Sequence, residues 1–176
     1  MPSPGHLDTI AFVRNATYVF ALLLLGSAAT SAAAPLAVGM AMPAITLADQ
    51  HDQQGSVGPD TRCVVFSRDM GGKQIVQEAL ANDPAPLAAA GAVVVSDISA
   101  MPSVITHLFA LPAMRKRPYR MLLDRQGKQT ADIPSMSGQV TVLHLRALTV
   151  ERVEYVGSPE ALRATLGEAT EQSSSK

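Results

Sequence analysis

The stretch RCVVFSRDMGGKQ, residues 62–74, joins an apolar run to a polar turn that contains two adjacent glycines. Its first half, residues 62–67, is short and rich in β-branched and aromatic residues, which predicts a buried strand. Apolar residues then recur at i, i+1, i+4 and i+5 over residues 75–80, the spacing of an amphipathic helix. This helix is predicted to start near Gly71-Gly72 and to end by Asp83-Pro84. The stretch therefore predicts a strand, a loop and a helix in succession.

The sequence on either side extends this pattern into a complete domain. The order of predicted elements is β, β, α, β, α, β, β, β, α, which indicates an α/β domain at residues 34–170 with a central mixed β-sheet and helices on both of its faces. A second helix is predicted from the spacing of Val104, Ile105, Leu108 and Phe109 and is expected to stop before Pro112. The last helix begins at Ser158-Pro159-Glu160, which supplies a capping hydroxyl, a proline and an acid in the first turn. The other predicted strands are Ala44–Ala48, Ala92–Ser96, Tyr119–Leu123, Gln139–Leu145 and Thr149–Val156.

The two ends of the chain are expected to lie outside this domain. Residues 1–33 have the pattern of a secretory signal peptide, with an apolar core at 16–25 followed by small residues and a cut after Ala32 or Ala33. Since the core is about ten residues long and a spanning helix needs about 20, cleavage is preferred to a permanent membrane anchor. The protein is then expected to be periplasmic, or secreted if there is no outer membrane, and to meet the membrane only before cleavage. The tail, residues 171–176, is predicted to be disordered.

The composition of the chain excludes several classes of function. The chain of 176 residues is 47% hydrophobic with a formal charge of −1, which argues against disorder and against nucleic-acid binding. Its single cysteine, Cys63, excludes an internal disulfide. Because Cys63 lies in the predicted strand, it is interpreted as a buried core residue rather than a reactive thiol. His51, His107 and His144 lack the short paired spacings of metal sites, so no metal is expected.

The order of elements resembles the thioredoxin-like fold superfamily, especially its peroxiredoxin-like and TlpA-like branches. Three stretches carry the resemblance: residues 38–50, with a glycine and a proline ahead of a short strand; Val64-Val65-Phe66, which is similar to the first central strand; and residues 140–166, which are similar to the closing hairpin and helix. The nearest likeness is to exported, cysteine-poor thioredoxin-like proteins of the YtfJ kind.

The resemblance implies a reactive cysteine directly after the central strand, at the start of the following helix. Here Gly71 and Gln74 stand where the two cysteines would be, and Gly138-Gln139 replaces the proline that precedes the final hairpin in the family. Without a thiol there is no thiolate nucleophile. The sequence therefore predicts a degenerate member without thiol–disulfide exchange or peroxidase activity.

The loop at the start of the first helix is the candidate binding site. Two glycines with a cation on either side would offer free backbone N–H groups and a positive helix end to a carboxylate or a phosphate. The alternative is a flexible helix start left behind when the cysteines were lost. A denser basic patch at residues 115–128 could meet an anionic partner or anionic lipid, but is interpreted as a solvated charged face. The candidate site residues are Arg68, Asp69, Met70, Gly71, Gly72, Lys73 and Gln74.

Two hypotheses about function follow. The first is a non-catalytic exported module, without a cofactor, that binds a protein or a small anionic ligand through this loop. The second is an oxidoreductase that works through a bound cofactor such as flavin, or through intermolecular use of Cys63.

Overall fold

A computed structural model describes residues 34–174. The predicted signal peptide lies outside the described residues. Within them, no helix combines the length and the apolar character needed to cross a membrane. The strands are β1 (Ile45–Ala48), β2 (Gln54–Val57), β3 (Cys63–Ser67), β4 (Ala92–Asp97), β5 (Met121–Asp124), β6 (Val140–Arg146) and β7 (Thr149–Val156). The helices are α1 (Met70–Leu80), α2 (Ala85–Ala89), α3 (Ser103–Ile105), a π-helical turn (Thr106–Ala110), α4 (Leu111–Arg115) and α5 (Pro159–Ser174).

Five strands form the central sheet in the order β5-β4-β3-β6-β7. The three strands β3, β4 and β5 run parallel to one another, and β6 and β7 run antiparallel to their neighbours. β1 and β2 form a separate antiparallel pair. The predicted α/β class and mixed central sheet are confirmed, because the parallel strands need helical crossovers while the last two form a hairpin.

The two faces of the sheet are covered differently. Alternate residues of β3 point to opposite faces, so that Cys63 and Val65 belong to one apolar cluster while Val64 and Phe66 belong to the other. The first cluster contains buried apolar residues of α1, α2, α4 and α5. The second is closed by the β1–β2 pair and loop residues such as Leu36 and Ile133.

The helices therefore pack on one face of the sheet. This differs from the sequence analysis, which predicted helices on both faces. The crossovers from β3 to β4 and from β4 to β5 step across the sheet in the same direction, and right-handed crossovers in one direction place their helices on the same face. Between β5 and β6, where a helix could cover the other face, the structure has a loop.

Four elements differ from the prediction, two in their presence and two in their extent. β2 and α2 were not predicted, since the polar residues Gln54-Gly55-Ser56 gave no strand signal and α2 is a five-residue helix. The second helix runs past Pro112 to Arg115, because the π-helical turn precedes a proline in the first turn of α4, where its missing N–H is tolerated. α5 continues to Ser174, into the predicted disordered tail, because neither glycine nor proline follows Gly167 to end it.

Candidate functional site

The helix-start loop, Arg68–Gln74, lies where β3 ends beside the parallel strand β4. The ends of these strands are joined by the hydroxyls of Ser67 and Ser96, whose oxygens are 3.2 Å apart. Ligands of open α/β sheets commonly bind at the carboxyl ends of parallel strands. The fold therefore places the predicted site residues together at a position suited to recognition.

Asp69 caps helix α1 with its own carboxylate. Its Oδ1 accepts a hydrogen bond from the Gly72 N–H at 2.9 Å, and its Oδ2 accepts one from the Gly138 N–H at 2.7 Å. These two bonds are the main reason that the pKa of Asp69 lies below its ordinary value. The carboxylate occupies the place that an external anion would take at this helix end, so the geometry opposes the interpretation of the loop as an anion site.

The two glycines serve close packing. A β-carbon on Gly71 would lie 2.9 Å from the Gly138 Cα, and one on Gly72 would lie 2.6 Å from the Gln139 carbonyl oxygen. Both distances are too short for real contacts, and the obstacle in each case is backbone. Gly71 and Gly72 are therefore needed for the segment 138–139 to approach the start of α1.

Arg68 is engaged within the domain. Its Nε donates to Asp97 Oδ2 at 3.3 Å and its Nη2 donates to the Thr130 carbonyl at 2.7 Å, while Nη1 donates to Ser135 Oγ at 3.1 Å. The guanidinium carbon also lies 5.2 Å from the centroid of the Phe66 ring, within cation–π range. Arg68 therefore ties the loop between β5 and β6 to the sheet.

Lys73 is likewise turned inward. Its Nζ donates to the Arg68 carbonyl at 2.8 Å. Burial lowers the pKa of the Lys73 ammonium, while the carboxylates of Asp97 and Asp69 oppose this shift. Neither cation of the predicted anion site is thus directed at solvent without a partner.

The chain resembles known proteins in structure rather than in sequence. No protein-family model matches the chain, and no curated protein matches it. Among solved structures it is similar to peroxidoxin BcpB from Mycobacterium tuberculosis, with a TM-score of 0.55 and 16% identity over 78% of this chain and 97% of that one. A candidate thiol:disulfide interchange protein DsbE from Chlorobium tepidum gives a TM-score of 0.53 and 15% identity over 76% and 95% of the two chains. A peroxiredoxin-like protein from Aquifex aeolicus gives 0.50 and 13% over 78% and 90%.

The chain has a thioredoxin-like fold. At these identities the likeness shows the fold alone, and the chemistry of this thioredoxin-like domain depends on its own residues.

The thioredoxin-like domain keeps its cysteine in the core. Cys63 is fully buried in β3, at the opposite end of the strand from the helix-start loop. Burial, with the nearby carboxylate of Glu154, raises the pKa of the Cys63 thiol to about 12. A thiol in this setting is not a nucleophile at neutral pH, which agrees with its interpretation as a core residue.

The basic patch of the thioredoxin-like domain is paired with acids of the β1–β2 turn. Asp52 accepts from Arg115 at 3.1 Å and from Arg125 at 2.6 Å, and Asp49 accepts from Arg120 at 2.7 Å. Three of the six basic residues of the patch are therefore paired with acids of the same domain.

A groove beside the helix-start loop was not predicted. This α1–α4 groove has a volume of about 390 Å³ and lies between α1 and α4. Met70 stands beside it with 71% of its surface exposed. No local sequence signal could have found it, because its two walls are separated by β4 in the chain. Its principal lining residues are Met70, Lys73, Gln74, Met101, Met114 and Arg117.

Proposed function

We propose that this chain is an exported thioredoxin-like binding module that carries out neither thiol–disulfide exchange nor peroxide reduction. In this proposal its partner is a protein, which contacts the exposed side of the helix-start loop and the α1–α4 groove beside it.

The proposal for a redox-inactive domain rests on the closed start of α1. Thiol–disulfide exchange requires an accessible thiolate, and helix starts favour it because their N–H groups stabilise negative charge. In this domain the Gly72 N–H is used by Asp69, which is also bonded to Gly138. Together with the burial of Cys63, this capped helix start is the observation that carries the proposal.

A protein partner is favoured over a small anion by what the site exposes. Arg68 and Lys73 donate to groups within the domain, whereas Met70 and Gln74 are exposed beside the α1–α4 groove. A flexible thioether next to amide side chains is suited to contacts with a peptide surface. The partner is therefore expected to present a mixed apolar and polar segment.

Redox inactivity is tested with insulin-reduction and peroxide-consumption assays on the wild type and on Cys63→Ala. Neither protein is expected to show activity above the uncatalysed rate. Activity in the wild type that Cys63→Ala abolishes would show that the thiol reaches substrate, and would overturn the proposal.

Partner binding is tested by photo-crosslinking in the native compartment. A photoreactive residue is placed at Met70, at Gln74, or at the control position Val38, which is 64% exposed. The expected result is the same crosslinked protein from positions 70 and 74 and none from position 38. Equal yields from all three positions, or no product from 70 and 74, would contradict the proposed site.

Export is tested by sequencing the amino terminus of the purified protein. The proposal requires a start at Ala33 or Ala34. Recovery of the full-length chain in the membrane fraction would contradict it.

A further inference from the structure

The helical segment 103–115 turns an apolar surface toward solvent. Val104, Leu108 and Phe109 are 63%, 64% and 66% exposed, and Ile105 is 45% exposed. These four residues recur at i, i+1, i+4 and i+5, so they lie on one side of the helix. Together they form an apolar stripe. The opposite side of the same segment is buried through Thr106, Leu111 and Met114.

The apolar stripe is large enough to form the apolar centre of an interface. With three of its side chains about two-thirds exposed and Ile105 just under half exposed, it offers on the order of 400 Å² of apolar surface, which is within the range of the largest patches on monomers. A standard interface takes about 800 Å² from each partner, of which somewhat more than half is apolar. The stripe could therefore supply most of the apolar part of one side of a standard interface.

The charge pattern of the stripe suits pairing with itself. Between Asp97 and Arg115 the sequence contains no Asp, Glu, Lys or Arg. A twofold interface brings the same patch of each copy together, and like charges placed there cost several kcal/mol. A surface without such charges carries no repulsion of this kind.

A lipid surface is less well matched. Helices that lie on membranes combine an apolar face with free basic residues that meet anionic headgroups. Of the basic residues that follow the stripe, Arg115 donates to the Gln50 carbonyl and Asp52, and Arg117 donates to Gln77, which leaves Lys116 as the single exposed cation between them. With these guanidinium groups engaged and a formal charge of −1 on the chain, attraction to an anionic membrane is weak.

We infer that the apolar stripe binds the same stripe of a second copy, so that the protein is a homodimer. This inference does not depend on the proposed function, since the stripe residues are different from those of the helix-start loop. A monomeric protein could still bind its partner, and a dimer could form in the absence of one.

The test is analytical ultracentrifugation of the protein as it accumulates after export, with three variants. Leu108→Glu and Phe109→Lys place opposite charges on the stripe. Val38→Glu is the matched control, because Val38 is as exposed as Leu108 but does not belong to the stripe. Val38 is two residues from Leu36, which belongs to the apolar cluster on the other face of the sheet. All substituted positions are exposed, so circular dichroism of each variant is expected to match that of the wild type.

The wild type and Val38→Glu are expected to be dimers at roughly 50 µM, since interfaces of standard size have dissociation constants of micromolar or below. Leu108→Glu and Phe109→Lys are each expected to weaken association at least about a hundredfold. A monomeric wild type at this concentration, or a dimer that both stripe variants leave unchanged, would overturn the inference. The same holds if the wild type is monomeric and floats with vesicles of anionic phospholipid in a manner that Leu108→Glu abolishes, because the occupant would then be lipid.

Discussion

Replacement of Asp69 tests whether the start of α1 is closed by its own carboxylate. Loss of a capping side chain costs about 1 kcal/mol, and loss of a hydrogen bond to a charged group costs about 1.5 kcal/mol at the lower end of its range. Because Asp69 is half-buried, we expect Asp69→Ala to reduce the free energy of unfolding by about 2 kcal/mol. For a domain of this size that lowers Tm by roughly 7 °C.

The Asp69→Asn variant separates the contributions of the two hydrogen bonds that Asp69 accepts. An asparagine oxygen can still accept from the Gly72 N–H, but its amide cannot accept from the Gly138 N–H. Its cost should therefore be about half that of the alanine variant, on the order of 1 kcal/mol. Asp60→Asn, at an exposed loop position, is the control and should leave stability unchanged. The measurement is urea unfolding followed by circular dichroism.

The stability that ionised Asp69 contributes is expected to depend on pH. The pKa of Asp69 in the folded protein lies below its ordinary value of 3.8, so the ionised form contributes stability above pH 3.8 that is lost as the pH falls through the folded pKa. The difference between the wild type and Asp69→Asn should be full at pH 7 and should shrink below pH 3.8. A cost for Asp69→Ala under about 0.5 kcal/mol, the lower limit for a lost cap, or a difference that stays constant into this acid range, would refute the assignment of the cap.

Three further outcomes follow from the same geometry. Gly72→Val should destabilise the fold by about 1–3 kcal/mol through overpacking against the Gln139 carbonyl; an unchanged Tm would mean that this contact is absent. Cys63 should react with a thiol reagent at pH 8 only when the protein unfolds, because its pKa is about 12; rapid labelling of the native protein would contradict its burial. At constant ionic strength, phosphate and sulfate should raise the Tm of Asp69→Ala more than that of the wild type, since only the variant frees the helix start; an equal shift in both would show that anions bind elsewhere.

Local signals in the sequence located most of the fold. The unbroken apolar run of β3, the spacing of α1 and the cap of α5 each lie within a few residues, where periodicity and capping chemistry act directly. β2 was not predicted because Gln54–Val57 is polar in sequence and owes its strand conformation to pairing with β1. Its place is set by tertiary contacts, which override local propensity.

The role of the candidate site stays a prediction, but its packing was not foreseen. Gly71-Gly72 was given two interpretations, an anion site or a flexible helix start, and neither includes the close approach of residues 138 and 139, which are distant in sequence. Asp69 followed by a helix has the pattern of an N-cap, and this signal was available in the sequence. The bond from the Gly138 N–H could not be predicted, because it depends on the path of the loop between β5 and β6.

Apolar spacing in the segment 103–115 identifies a helix without deciding which side is buried. The sequence allows either the apolar stripe or the side with Thr106, Leu111 and Met114 to face the core. In the structure these three residues are buried and the stripe is exposed. Pairing two stripes removes this apolar surface from water on both copies, whereas a single exposed stripe gains nothing. The side of the helix that the sheet leaves free is for this reason the side on which we expect a second copy to bind.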